Sequence, residues 1–402
     1  MGEASRVRPS RRGQELPPSP IRALAPLAEA AKRRGVRVIH LNIGQPDLPP
    51  PACVREALEE ASRLPLVYAP ARGLPETVEA WCAYYRCHGI EIEPEEVLVT
   101  AGASEALWLA LLSTTDPGDE VLVPEPFYAP YQGILAAAGV RLVPVPPGPG
   151  LGPPDLAELW ARITKRTRAI LLCSPANPSG AVWDRRALLA LGELAREAGI
   201  ALLSDETYRE IVFDGPRAMS VLELPAFEEH AIVIDSLSKR FNVCGLRLGS
   251  LVTRNRGVLA AALELAELRL ALPVVDQRAV AGALVSPYPY VDEVVAAYRA
   301  RREAVLAALA VVPGVEVHRP AGAFYVVVRL PVDDAERFTA WLLAEFAHRG
   351  ETVMLTPMRT FYATPGAGRT EVRLALVHSP TTLVRAVEIL AAGLAVYPGR
   401  AR

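Results

Sequence analysis

Apolar and polar positions along this chain follow two rhythms that take turns. Short unbroken apolar runs, such as Ala231-Ile232-Val233-Ile234, read as buried strands. Similar runs at 36–41, 96–100, 120–123, 168–173 and 200–203 predict further strands. Between them, apolar residues return at helical spacing. Ile21, Leu24, Leu27, Ala28 and Ala31 predict an amphipathic helix stopped by Gly35. A second helix begins near 102, and a third runs over 185–197. From 253 to 285 the pattern is helical with a break at Pro273, and 291–310 is helical with Arg299, Arg301 and Arg302 on a solvated face. The last part reads as strands at 314–318, 323–330 and 371–377, with a helix at 334–349. Strand and helix alternate from about 96 to 240, which predicts an α/β fold whose mostly parallel sheet carries helices on both faces.

Composition narrows the class. A chain of 402 residues is long enough for two domains, or for one large domain with a smaller companion. With 51% hydrophobic and 22% charged residues it matches an ordinary globular enzyme, and a net charge of −2 points to no nucleic-acid or membrane partner. Thirty-seven prolines, nearly twice the usual share of about 5%, stiffen the loops between apolar runs. Residues 1–15 read as a flexible basic tail; no apolar segment follows Arg6, Arg8, Arg11 and Arg12, so it is not a secretory signal. No stretch reaches the roughly 18 apolar residues of a membrane span. The five cysteines are scattered. Cys82 and Cys87-His88 look like half of a metal site, but no second half appears, so we expect reduced thiols, no metal and a cytoplasmic setting.

The residues with chemistry gather where strands end. After the run at 231–234 come Ser236, Ser238 and Lys239, then Arg247 between Gly245 and Gly249. A lysine following a buried strand stands at the active-site loop of an α/β fold, where it could form a Schiff base with a carbonyl compound. Arg247 and the serines suit a doubly charged phosphate. Gly102-Ala103-Ser104 opens a helix and offers unpaired N–H groups to an anion, although an ordinary capped helix reads the same way. Asn177-Pro178-Ser179-Gly180 is a sharp turn after a strand. Asp205 closes the next strand, with Tyr208 three residues on. Tyr128, just past the strand at 120–123, could stack on a flat ring, as could its neighbour Phe127. Arg373 is a lone cation in a late strand.

In order and spacing, over about residues 20–380, these elements resemble the pyridoxal-phosphate-dependent aminotransferases of class I/II, with the aspartate aminotransferase fold (fold type I). The resemblance implies a large domain with a mostly parallel seven-stranded sheet flanked by helices, at 49–285. It implies a smaller α+β domain made from both termini, 16–48 and 286–402, after the tail. It implies that Lys239 holds pyridoxal 5'-phosphate as an internal aldimine and moves the substrate α-proton. Asp205 would keep the pyridine nitrogen protonated, Asn177 and Tyr208 would bond the phenolic oxygen, and Tyr128 would stack on the ring. Gly102, Ala103, Ser104, Ser236 and Arg247 would grip the phosphate, with Ser238 assisting. Arg373 would take the substrate carboxylate, close to Gly44 of the Asn42–Asp47 turn, which resembles the family's GxPD segment. Tyr68, in Tyr68-Ala69-Pro70-Ala71-Arg72-Gly73, would reach the phosphate of a second subunit, so a homodimer is expected. There the chain departs from the family, with Thr77-Val78 where Leu-Arg is usual.

The activity implied is transfer of an amino group from an L-amino acid to a 2-oxo acid in two half-reactions. A carbon–sulfur β-lyase uses the same cofactor grip and is the alternative; a ligand-sensing regulator would need a DNA-binding module besides. Aspartate or glutamate, aromatic or broad specificity are all open. Ser104 stands where some bacterial aspartate aminotransferases place a lysine, which leaves Arg269 and Arg22 as candidate readers of an acidic side chain.

Overall fold

The computed structural model describes residues 7–16 and 23–400. Thirteen strands among them run in chain order as β1 (Arg37–His40), β2 (Val97–Thr100), β3 (Glu120–Pro124), β4 (Arg141–Val145), β5 (Thr167–Cys173), β6 (Ala201–Asp205), β7 (Ala231–Ser236), β8 (Gly249–Val252), β9 (Glu316–His318), β10 (Tyr325–Arg329), β11 (Glu351–Met354), β12 (Thr356–Pro357) and β13 (Glu371–Ala375). Seven of them form one sheet in the order β2-β8-β7-β6-β5-β3-β4. Neighbours from β7 to β4 are parallel, while β8 runs against both β2 and β7. Covering helices bury both faces, which is why β6 and β7 are nearly continuous apolar runs. One face packs around Trp81, Tyr84 and Leu191, the other around Leu107, Leu111 and Leu135.

The chain ends build the rest. A four-stranded antiparallel sheet takes the order β12-β13-β10-β9, and β1 pairs in parallel with β11, tying residues 37–40 to 351–354. Phe324, Tyr298 and Leu390 lie in the core beside these strands.

Several sequence expectations change. Arg301 and Arg302 are not on a solvated face; only 5% and 1% of their surfaces remain exposed. The helix Tyr290–Leu309 is packed on more than one side. Arg301 reaches Asp47 with Nη1 and Nη2 at 2.6 and 2.9 Å, and Arg302 reaches Asp214 at 2.6 and 3.0 Å. The helix expected at 334–349 spans Ala335–Ala344, because the chain turns back to form β11. Within the tail, Arg11–Glu15 forms a short helix capped by Ser10. The first amphipathic helix is Ala25–Arg33; Ile21 and Arg22 lie outside the described residues. Among the described residues no helix is long and apolar enough to cross a membrane.

Candidate active site

Parallel strands deliver their carboxyl ends to one edge of the sheet, where an α/β fold opens its ligand crevice. Here β3, β5, β6 and β7 lead respectively to Tyr128, Asn177, Asp205 and Lys239, and all four side chains line one cleft of about 500 Å³. Arg373 enters it from β13 and Gly44 from the turn after β1. Elements far apart in sequence thus meet at a single point.

Lys239 sits in a one-turn helix, Leu237–Arg240, which Ser236 caps by accepting the Ser238 N–H. Its Nζ donates to the Gly44 carbonyl at 2.7 Å. Burial, reinforced by the Arg373 and Arg247 guanidiniums, lowers its pKa to about 8. An amine so placed is half neutral near pH 8, which a nucleophile requires. Asp205 ends β6 and accepts from the Tyr131 hydroxyl at 2.5 Å and from the Thr207 N–H at 3.1 Å. Burial raises its pKa against those two hydrogen bonds. Tyr208 and Tyr325 share a hydrogen bond of 2.8 Å between their hydroxyls.

Arg247, Gly102 and the two serines converge. Arg247 Nη1 approaches the Ser238 hydroxyl at 3.4 Å and Nη2 the Ala101 carbonyl at 3.4 Å. Ser236 donates to Ser238 at 2.9 Å. Gly102 precedes the helix Ala103–Thr114 with φ +77°, and a Cβ there would stand 2.8 Å from Arg247 Nη2. Glycine is required by that angle, and a Cβ there would push the Arg247 guanidinium aside. Arg247 itself holds φ +51°, a strained conformation of the kind found at ligand sites. Helix N–H groups, two hydroxyls and a guanidinium make an anion cradle.

Arg373 is 1% exposed. It donates to Asn177 Oδ1 at 2.9 Å and to the Asn42 carbonyl at 2.7 Å, and lies over the Tyr325 ring at 4.3 Å. Its Nε is buried without a hydrogen-bond partner. A guanidinium held from behind with an unmet donor fits a carboxylate that arrives from the cleft.

A family model described as aminotransferase class I and II matches residues 36–390. This chain belongs to that family. An LL-diaminopimelate aminotransferase of Desulforudis audaxviator is 34% identical over 395 residues, covering 96% of this chain and 97% of the relative. An arginine–pyruvate transaminase of Pseudomonas aeruginosa is 36% identical over 308 residues, covering 75% and 77%. A solved structure of a Thermus thermophilus aspartate aminotransferase double mutant superposes with a TM-score of 0.89 at 32% identity, over 97% of this chain and 100% of that one. The protein is a pyridoxal-phosphate-dependent aminotransferase of fold type I, acting on an amino acid and a 2-oxo acid.

The cleft fits the cofactor on its own terms: an amine of lowered pKa for the aldehyde, an anion cradle for the phosphate, and a buried carboxyl for a ring nitrogen. Of the two aromatics after β3, Tyr128 lines the cleft while Phe127 turns into the core. Ala103, Ser104 and Ser236 line it as well. Tyr68 does not; it is 82% exposed on the outer surface of its own chain. Arg269 is committed elsewhere, to Glu105 at 2.7 Å and the Val99 carbonyl at 2.9 Å. Sequence reasoning missed Tyr131 and Tyr325. Tyr131 lies within the aromatic run after β3, and Tyr325 opens a strand whose unbroken apolar run marked it only as part of a strand.

Proposed function

We propose that the cleft between Lys239, Asp205 and Arg373 carries out transamination of α-amino acids, with broad or aspartate-type donor specificity. What carries the reading is the meeting of those three side chains, from β7, β6 and β13, in one pocket. Bound there, pyridoxal phosphate supplies the carbonyl that receives the amino group and the ring that withdraws electrons. Lys239 would hold the cofactor through its Nζ, and the same amine would carry the substrate α-proton. Its lowered pKa keeps it a usable base near neutrality. Asp205, oriented by Tyr131 and Thr207, holds a proton on the ring nitrogen. Asn177 and Tyr208 would hydrogen-bond the cofactor's phenolic oxygen, and Tyr128, which lines the same cleft, would stack on its ring.

Gly102, Ala103 N–H, Ser104, Ser236 and Arg247, with Ser238 assisting, hold the phosphate. Arg373 orients the substrate carboxylate beside Gly44. Ile43, Leu107 and Ile134 line the same cleft and favour apolar side chains as well as small ones. The relatives are named for aspartate, LL-diaminopimelate and arginine, a spread that supports breadth.

We assign Tyr68 to the cofactor site of a second subunit. Leu66 and Val67 beside it are 76% and 67% exposed, an apolar strip that a homodimer would cover. The division into 16–48, 49–285 and 286–402 is supported by the sheets, since β2–β8 lie within 97–252 and the other strands within 37–40 and 316–375. A cytoplasmic setting accords with five free cysteines.

The test is a donor panel: purified protein, cofactor, 2-oxoglutarate or pyruvate, and single L-amino acids, with product amino acid quantified. Turnover abolished in Lys239→Ala supports the reading. Pyruvate and ammonia from cysteine conjugates, without amino-acid product, would replace it with β-elimination.

A further inference from the structure

The loop that carries Lys239 is closed from behind. Ser236, Ser238 and Lys239 face the cleft, while Asp235 and Arg240, at the two ends of the same six-residue segment, turn into the core. Their side chains are 0% and 1% exposed. Arg240 Nη2 donates to both Asp235 oxygens, at 3.1 and 2.9 Å, and Asp235 Oδ1 also accepts the Ser236 N–H at 2.6 Å. The Arg240 guanidinium lies 4.1 Å above the Tyr84 ring and its Nε stands 4.0 Å from Glu210 Oε1.

Glu210 is itself fixed. It accepts from the hydroxyls of Tyr84 and Tyr288 and pairs with His88 Nε2 at 3.2 Å. Burial alone would raise its pKa, but His88, Arg240 and Arg209 hold it well below the ordinary value. The segment is therefore anchored to the helix Pro75–Arg86, on the side of the sheet away from the substrate.

A buried ion pair gains little stability over an apolar pair of the same volume, because two charges must first leave water. Stability alone does not account for a pair that ties the first residue of this loop to the last. We propose that Asp235 and Arg240 are positioning residues, a buried staple that sets the Lys239 amine and the Ser236 and Ser238 hydroxyls at the spacing the cofactor needs. The proposal rests on the reading of Lys239 as the cofactor lysine. The neighbouring Glu210 and Tyr84 keep the staple in one orientation.

The experiment uses the full chain reconstituted with pyridoxal phosphate. The double variant Asp235→Leu/Arg240→Met removes both charges at similar volume. Its thermal midpoint, its cofactor dissociation constant and the pH midpoint of the visible band from lysine-bound cofactor are compared with the parent. A staple predicts a folded protein whose cofactor binding weakens by at least about tenfold, the effect of a small misplacement of binding groups. It also predicts a spectral midpoint displaced by about half a unit or more, since the Lys239 environment changes. Parent values for both would overturn the proposal.

If the double variant does not fold, Arg240→Lys decides. It keeps the charge but loses the flat guanidinium that lies over the Tyr84 ring while its Nη2 bridges both Asp235 oxygens, so binding and midpoint should shift in the same direction, and parent values again refute the staple. A parent protein whose band survives Lys239→Ala would remove the reading of the cleft itself, and the staple with it.

Discussion

Replacing Arg373 by lysine keeps the charge and removes the geometry. The guanidinium spends one nitrogen on Asn177 at 2.9 Å and another on the Asn42 carbonyl at 2.7 Å while still facing the cleft. A lysine ammonium carries its three donors on one atom and cannot span both contacts and a carboxylate as well. Each charge-assisted hydrogen bond contributes about 1.5–3 kcal/mol. Loss of one such bond to the substrate, with charge retained, costs about 2 kcal/mol, or roughly 30-fold in kcat/KM. The carboxylate is held equally before and during reaction, so the loss should fall mainly on KM. The assay compares an amino acid with the amine that has the same side chain and no carboxylate. The parent should prefer the amino acid strongly, and Arg373→Lys should lose most of that preference. A KM within about threefold of the parent, with the preference intact, would refute the carboxylate role.

Four more predictions follow from the site. Lys239 reacts when neutral, so the rate at which apoprotein captures pyridoxal phosphate should rise with pH through a midpoint of about 8; a midpoint at the ordinary lysine value of 10.5 would contradict its burial. Because the folded pKa lies below the unfolded one, the unfolded chain holds the extra proton between those values, and apoprotein stability from this group should rise with pH across that window in urea titrations. Gly102→Ala forces a side chain at φ +77° and 2.8 Å from Arg247 Nη2. Backbone strain of about 1–3 kcal/mol should weaken cofactor binding by roughly tenfold or more, read by equilibrium dialysis. In the homodimer proposed above, Tyr68→Phe should weaken cofactor binding only in the subunit that receives the residue; mixed dimers with Lys239→Ala subunits separate that outcome from a defect confined to its own chain.

Much of this site was legible because it is local chemistry at strand ends. Lys239, Asp205 and Asn177 each follow an apolar run, and parallel strands bring such ends together. Residues whose role depends on distant partners were harder to read. Arg301 and Arg302 looked like a solvated face until Asp47 and Asp214 were seen to accept them, 254 and 88 residues away. Tyr131 and Tyr325 became site residues through Asp205 and Tyr208, contacts that no periodicity encodes. Strands β4, β8 and β11 escaped periodicity for separate reasons. Pro144 interrupts β4, which tolerates it as an edge strand. Gly249 opens β8, and a Cβ at that glycine would stand 2.4 Å from the Asp235 carbonyl. β11 opens on the polar pair Glu351 and Thr352 and offers only Val353 and Met354 as apolar residues, too short a run to read as a strand.

The most direct test of the central claim is the absorbance spectrum of the protein with pyridoxal phosphate, recorded before and after a single amino acid is added with no 2-oxo acid. The account predicts a visible band that depends on Lys239, and its conversion by the amino acid to the pyridoxamine form of the cofactor. The fastest donor then names the substrate class. A protein that forms no such band, or forms it equally well as Lys239→Ala, would contradict the assignment of this cleft.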